Sequence, residues 1–186
     1  MASAKDVLDV AYSQLGYHAP SDPEPGSKYG RWLAALWGED WLAGPSDQVW
    51  WCCLFVSWCL DAAGQDCPGF PTFNTDLAIA NGASSRLVNP YDAEPGDVLI
   101  FDWNWTNEAT DHIGFCVENH GNGWLETIEG NVGNAVAEKT RDVALVRYCV
   151  RPWYDGSGTL PATGLTRQAT RTRASSRSTA SWATSP

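Results

Sequence analysis

Cys52 is the first residue to weigh as a nucleophile, because of the run in which it stands: Trp50-Trp51-Cys52-Cys53-Leu54-Phe55-Val56-Ser57-Trp58-Cys59. The run spans about three helical turns with almost no charge, and it reads as a helix buried on most sides at the centre of a fold. Pro45 and Asp47 place its start between Gly44 and Trp51, and Asp61 and Gly64 mark its end, glycine being a suitable residue just past a helix. Cys52 then falls in the first turn or two. There the unpaired N–H groups and the positive end of the helix dipole favour a thiolate. A cysteine among tryptophans is otherwise a small buried hydrophobe. Partners elsewhere in the chain decide between the two readings.

Those partners lie in strand-like segments. His112 begins the run His112-Ile113-Gly114-Phe115-Cys116-Val117-Glu118, at the edge from which a side chain reaches a helix N-terminus. Histidine hydrogen-bonded to cysteine forms the thiolate–imidazolium pair of covalent acyl transfer. The imidazolium needs an acceptor on its second nitrogen. Glu129 and Asn131 end the next run, Trp124-Leu125-Glu126-Thr127-Ile128-Glu129-Gly130-Asn131, and a period of two points both to one face. Either residue can serve as the partner of His112.

The elements that position these groups follow in chain order. Ser3–Gly16 reads as a helix with Val7, Val10, Ala11 and Leu15 on one face and Ser3/Asp6 as a cap. Ala19–Gly30 is a proline-rich loop whose Asp22 and Glu24 could reach a calcium ion, although two acids in such a loop are usually just solvated. A second aromatic helix spans Trp32–Trp37, and a short one is expected near Thr75–Asn81. The period then changes to two. Val98–Trp103, His112–Glu118, Trp124–Asn131 and Val143–Arg151 read as strands, with a Gly121-Asn122-Gly123 hairpin turn. Helices followed by consecutive strands predict an α+β fold, with N-terminal helices packed on an antiparallel sheet.

Charge and cysteine usage narrow the classes. The formal charge is −10, and all 22 acids lie at or before Asp155 together with 8 of the 12 bases. Such an acidic domain repels nucleic acid, so none is expected as a partner. The basic stretch Thr159–Pro186, with Arg167, Arg171, Arg173 and Arg177, has too few large apolar residues to bury and reads as a disordered tail or linker. The expected division is a catalytic domain over 1–156 and a tail over 157–186. Within the tail, Leu160-Pro161-Ala162-Thr163-Gly164 matches a sortase pattern, but no apolar span follows it, which favours chance. No run of 18 apolar residues predicts a membrane span, and Met1–Asp6 has none of the features of a signal peptide. Adjacent Cys52 and Cys53 cannot bridge without strain and there is no CxxC pair, so mostly free thiols and a reducing compartment are expected.

Four motifs in order resemble one family. Trp51-Cys52-x-x-Phe55-Val56-Ser57-Trp58-Cys59, Glu94-Pro95-Gly96-Asp97-Val98, Asp111-His112-Ile113-Gly114 and Ile128-Glu129-Gly130-Asn131 are similar to the CHAP amidohydrolase/peptidase family, peptidoglycan-cleaving relatives of the NlpC-type papain-like hydrolases. The resemblance covers roughly Lys5 to Pro152. It implies Cys52 as nucleophile, His112 as general base, Glu129 as the residue orienting it and Asn131 as a second polar partner. It implies a papain-like fold and cleavage of an amide in the wall peptide, by an N-acetylmuramoyl-L-alanine amidase or an endopeptidase. No cofactor or metal is carried over, and the protein is expected to be a monomer whose partner is bacterial peptidoglycan. Its place would be that of a phage endolysin, in the host cytoplasm and then at the wall, or of a wall-associated bacterial hydrolase. Two rival readings stay open: an inactive wall-binding module, and a papain-like thiol hydrolase acting on an amide outside the wall.

Overall fold

Ser3 caps the first helix, α1 (Ala4–Tyr12), accepting from the Asp6 amide while the Asp6 carboxylate accepts from the Ser3 N–H. This is the computed structural model of the chain, and it describes residues 1–105 and 109–155. The 157–186 tail and its Leu160–Gly164 motif lie outside the described residues. Helix α1 stops short of the expected Gly16, leaving Leu15 exposed. The cause is a competing strand: the Gly16 amide donates to Val136 O at 3.0 Å and Tyr17 O accepts from the Val136 amide at 2.8 Å.

The second helix, α2 (Lys28–Trp37), starts a turn earlier than its aromatic run because the Ser27 hydroxyl caps it through the Gly30 amide. The central helix, α3 (Cys52–Ala62), lies against α1, α2 and the sheet, with Cys52 through Ser57 all buried. It ends where Gly64 turns left-handed (φ 70°), letting the Gln65 amide reach Leu60 O at 2.8 Å and the Gly64 amide reach Asp61 O at 2.9 Å. One expectation fails at its start. Trp50 is 71% exposed, because it precedes the helix and stands on the rim of the groove beside Cys52. A fourth helix, α4 (Thr75–Ala80), is capped by Asn74.

Among the described residues six antiparallel strands follow: β1 (Leu87–Val88), β2 (Val98–Phe101), β3 (His112–Asn119), β4 (Trp124–Val132), β5 (Ala135–Asp142) and β6 (Val146–Val150), in the spatial order β1-β6-β2-β3-β4-β5. The fold is α+β, as the sequence predicts. Strand β5, absent from the sequence reading, forms one margin of the sheet. Val98, Ile100, Ile113, Phe115 and Ile128 join the large core shared with α3, while Leu99, Phe101, Cys116, Leu125 and Cys149 form a smaller core of their own. Alternation therefore divides the sheet into a face turned to α3 and a face turned away.

All six cysteines are free and buried. None of the helices among the described residues is long and apolar enough to cross a membrane.

Candidate active site

The site lies where the start of α3 meets the end of the sheet. Cys52 is the first residue of the helix, and its predecessor Trp51 is wholly buried, stacked on Tyr29 at 5.4 Å and edge-on to Tyr17 at 5.8 Å. Among the described residues no side chain caps this helix, which leaves its first-turn amides without a side-chain partner there. Cys52 and Cys53 differ in setting although they are neighbours. Cys52 keeps 7% exposure and Cys53 only 1%. Burial first, and then the charge of Cys52, push the Cys53 thiol well above its ordinary value despite a hydrogen bond to Ser57. Cys53 is a neutral thiol at any physiological pH.

His112, first residue of β3, places its ring Nε2 2.9 Å from Glu129 Oε2. That leaves Nδ1 as the nitrogen for Cys52. Burial pulls the His112 pKa down, but the hydrogen bond and charge of Cys52, with those of Glu129, outweigh it and hold it at about 9. The imidazole is thus a cation at neutral pH, the state expected beside a thiolate.

Glu129 has no exposed surface and still carries its charge. Burial would raise its pKa, but Arg141 first and His112 next, with Thr127, bring it to about 2. Thr127 Oγ1 donates to Oε1 at 2.5 Å, Arg141 Nε to Oε1 at 2.8 Å and Arg141 Nη2 to Oε2 at 2.6 Å. Thr127, Glu129 and Arg141 share the sheet face turned away from α3, and so does His112. Cys52 therefore meets His112 at the end of the sheet rather than through it.

Two glycines make this possible. Gly130 faces α3, where a Cβ would come within 2.5 Å of the Phe55 Cβ, so its bareness lets the helix lie close on β4. Gly114 pairs with Glu129 and leaves room for that side chain to cross β3 toward His112.

The sequence expectation that Glu129 and Asn131 share a face does not hold in simple form. The β4–β5 register shifts between Glu129 and Val132, and Asn131 adopts φ 61°, so the alternation breaks at Gly130–Asn131. The structure brings Cys52, His112 and Glu129 together. Asn131, half-exposed and just past Glu129 in sequence, makes no side-chain hydrogen bond among the described residues. Arg141 was not foreseen at all.

Beside Cys52 opens a groove of about 340 Å³, walled by Trp41, Trp50 and Phe73 and by Asp76, Thr110 and Asp111. Trp41 and Phe73 meet edge-on at 5.0 Å. On the other side, Trp103 stacks against His112 at 5.9 Å.

Residues 44–131 match the CHAP domain family. A CHAP domain is a cysteine- and histidine-dependent amidohydrolase or peptidase module, and such domains act on peptidoglycan. No curated protein matches the chain in a sequence comparison. The matched CHAP segment runs from the approach to α3 to the end of the Glu129-Gly130-Asn131 motif, so the first two helices, β5 and β6 lie outside it. Of the motifs that carried the resemblance, Glu94-Pro95-Gly96-Asp97 is structural. Asp97 is buried, accepts from the Glu94 amide at 2.8 Å and takes the Arg151 fork at 2.9 and 2.8 Å. Asp22 and Glu24 are engaged by Arg31 at 2.8 and 3.2 Å. Among the described residues no group of three His, Cys, Asp or Glu side chains is placed to hold a metal.

Proposed function

We propose that this protein hydrolyses an amide bond in the peptide part of bacterial peptidoglycan, with Cys52 as nucleophile, His112 as general acid and base, and Glu129 as the group that orients His112. The observation that carries this reading is the line Cys52–His112–Glu129, whose Cys52 end lies on the wall of an open groove, with His112 held as a cation.

The Cys52 thiolate attacks the substrate carbonyl carbon, and the oxyanion meets backbone N–H groups at the start of α3, that of Cys52 among them. As the tetrahedral species collapses, His112 Nδ1 gives its proton to the leaving amine, and a thioester remains on Cys52. Water then attacks the thioester. His112 takes the water's proton, the C–S bond breaks, and the carboxylic acid leaves. Through both steps Nε2–H stays on the Glu129 carboxylate, which fixes the ring and balances its charge. The exposed faces of Trp41 and Trp50 beside the nucleophile suit a large amphipathic substrate such as a sugar–peptide polymer.

The test is digestion of purified peptidoglycan by the full chain, with mass spectrometry of the soluble products. A new peptide amine that is absent with Cys52→Ala supports the reading. If the peptidoglycan is left intact while the protein is folded, the wall is not its substrate; equal cleavage by Cys52→Ala removes Cys52 from the nucleophile's role.

A further inference from the structure

Arg141 stands on β5, past the end of the segment that matches the CHAP family, and its guanidinium grips both oxygens of Glu129, sharing Oε2 with His112. We propose that Arg141 is a positioning residue for catalysis: its two-pronged grip holds the Glu129 carboxylate ionised and oriented on His112. The proposal rests on the roles given above to Cys52, His112 and Glu129.

A carboxylate with no exposed surface is costly unless charge and hydrogen bonds compensate it. Glu129 has one cationic partner in His112, but that cation is lost whenever the ring hands its proton to the leaving amine. At that moment only a permanent charge keeps Glu129 from taking up a proton itself, and an arginine never gives its own up. A protonated Glu129 would neither stabilise the returning imidazolium nor hold the ring by charge. The fork geometry supplies orientation as well, since both oxygens are engaged and the carboxylate plane is set.

Arg141 is itself held from a second direction. Its guanidinium carbon lies 4.9 Å from the Trp103 ring and 5.7 Å from that of Phe101. Trp103 also stacks on His112 at 5.9 Å and on Phe101 at 5.1 Å, so one indole braces both ends of the relay. Among the described residues the charged groups facing this relay are few. From β3 comes His112, from β5 Arg141, and from α3 Cys52, which meets the ring but not the carboxylate. Asp111, just before His112, is taken by the Trp103 amide at 2.6 Å. An arginine serving only the fold could sit on Glu129 with this same geometry, so the test must read chemistry.

The measurement is kcat and KM against pH on purified peptidoglycan for wild type, Arg141→Met, Arg141→Lys, Glu129→Gln and the Glu129→Gln/Arg141→Met double variant. Arg141→Met should lower kcat on the order of 10- to 100-fold, the usual weight of an outer hydrogen-bonding partner, with KM little changed. Its acid limb should move to higher pH, because Glu129 loses the largest influence that keeps it ionised. Arg141→Lys should recover part of the rate and most of the acid limb, keeping the charge without the fork. In the double variant, removing Arg141 should add little to the loss caused by Glu129→Gln, since Arg141 acts through that carboxylate. Losses that multiply in the double variant, or an Arg141→Met profile whose acid limb stays at the wild-type pH, would overturn the proposal. If Arg141→Met does not fold, Arg141→Lys and its acid limb decide alone. Retained activity in Cys52→Ala would instead bring down the underlying reading, which keeps the two failures apart.

Discussion

Gly114 lies opposite Glu129 in the β3–β4 ladder, and a Cβ added to Gly114 would come within 2.5 Å of Glu129 Cγ. Glu129 thus reaches His112 over a position kept bare for it. Gly114→Ala should push the carboxylate off the ring and cost activity approaching the loss in Glu129→Gln, while circular dichroism shows the fold retained. A folded Gly114→Ala protein with wild-type kcat/KM would refute this account of the glycine.

The two adjacent thiols give a sharp contrast. Cys52→Ser should be inert and folded. Cys53→Ala should remain active and lose only packing, on the order of 1 kcal/mol of stability in denaturant melts. His112→Ala should be as inert as Cys52→Ser, and combining the two should cost little more, because the pair acts as one unit. An active Cys52→Ser with an inert Cys53→Ala would exchange the roles.

Glu129 and Asn131 are separable in the same way. Glu129→Gln keeps the shape and removes the charge, so kcat should fall about 10²- to 10⁴-fold, as for neutralising a triad acid. His112 should then titrate lower by NMR, having lost a charge that holds its proton. Asn131→Ala should cost less, with an unmoved pH profile. The reverse order of damage would make Asn131 the partner of His112.

Stability should peak over a mildly acidic range as far as this site sets it. His112 is raised from 6.5 to about 9, so its contribution is full below 6.5 and drains away as pH climbs through 9. Glu129 is lowered from 4.5 to about 2, so its contribution is present above 4.5 and fades as pH falls toward 2. Thermal melts across pH should show both flanks. In Cys52→Ala the alkaline flank should begin at lower pH, because Cys52 is a principal cause of the raised His112 value. An unchanged alkaline flank in that variant would disconnect Cys52 from His112.

Trp50, almost free of the fold, is a test of substrate binding alone. Trp50→Ala should leave the melting temperature unchanged and raise KM on polymeric peptidoglycan by roughly 2- to 12-fold, the worth of about 0.5–1.5 kcal/mol of aromatic contact. An unaltered KM would mean that substrate does not reach this rim.

Much of this was readable beforehand because it depends on local pattern. An uninterrupted apolar run at Cys52 forces a buried helix, and the hairpin turn after the His112 strand sets the Glu129 strand beside it. Asn131 was misplaced because period alone does not register a left-handed residue in a strand end, although the Gly130-Asn131 pair hints at one. Arg141 was missed with the whole of β5. Ala135–Asp142 is half charged, and a margin strand with one face in solvent lacks the alternation that marks buried ones. The cue that could have found it is Gly133-Asn134, both at positive φ, a tight reversal directly after β4.

That charged margin has a bearing on how the protein behaves at high concentration. An unpaired strand edge invites another chain to dock along it and start a growing ribbon. Here Glu138, Lys139, Arg141 and Asp142 line the outer strand, residues 16–18 cross its near end through the His18–Ala135 bridge, and the opposite border tapers to the two residues Leu87–Val88. The strand that supplies Arg141 to the relay thus also discourages sheet-to-sheet aggregation, so charge-removing changes along it carry a solubility cost as well as a catalytic one.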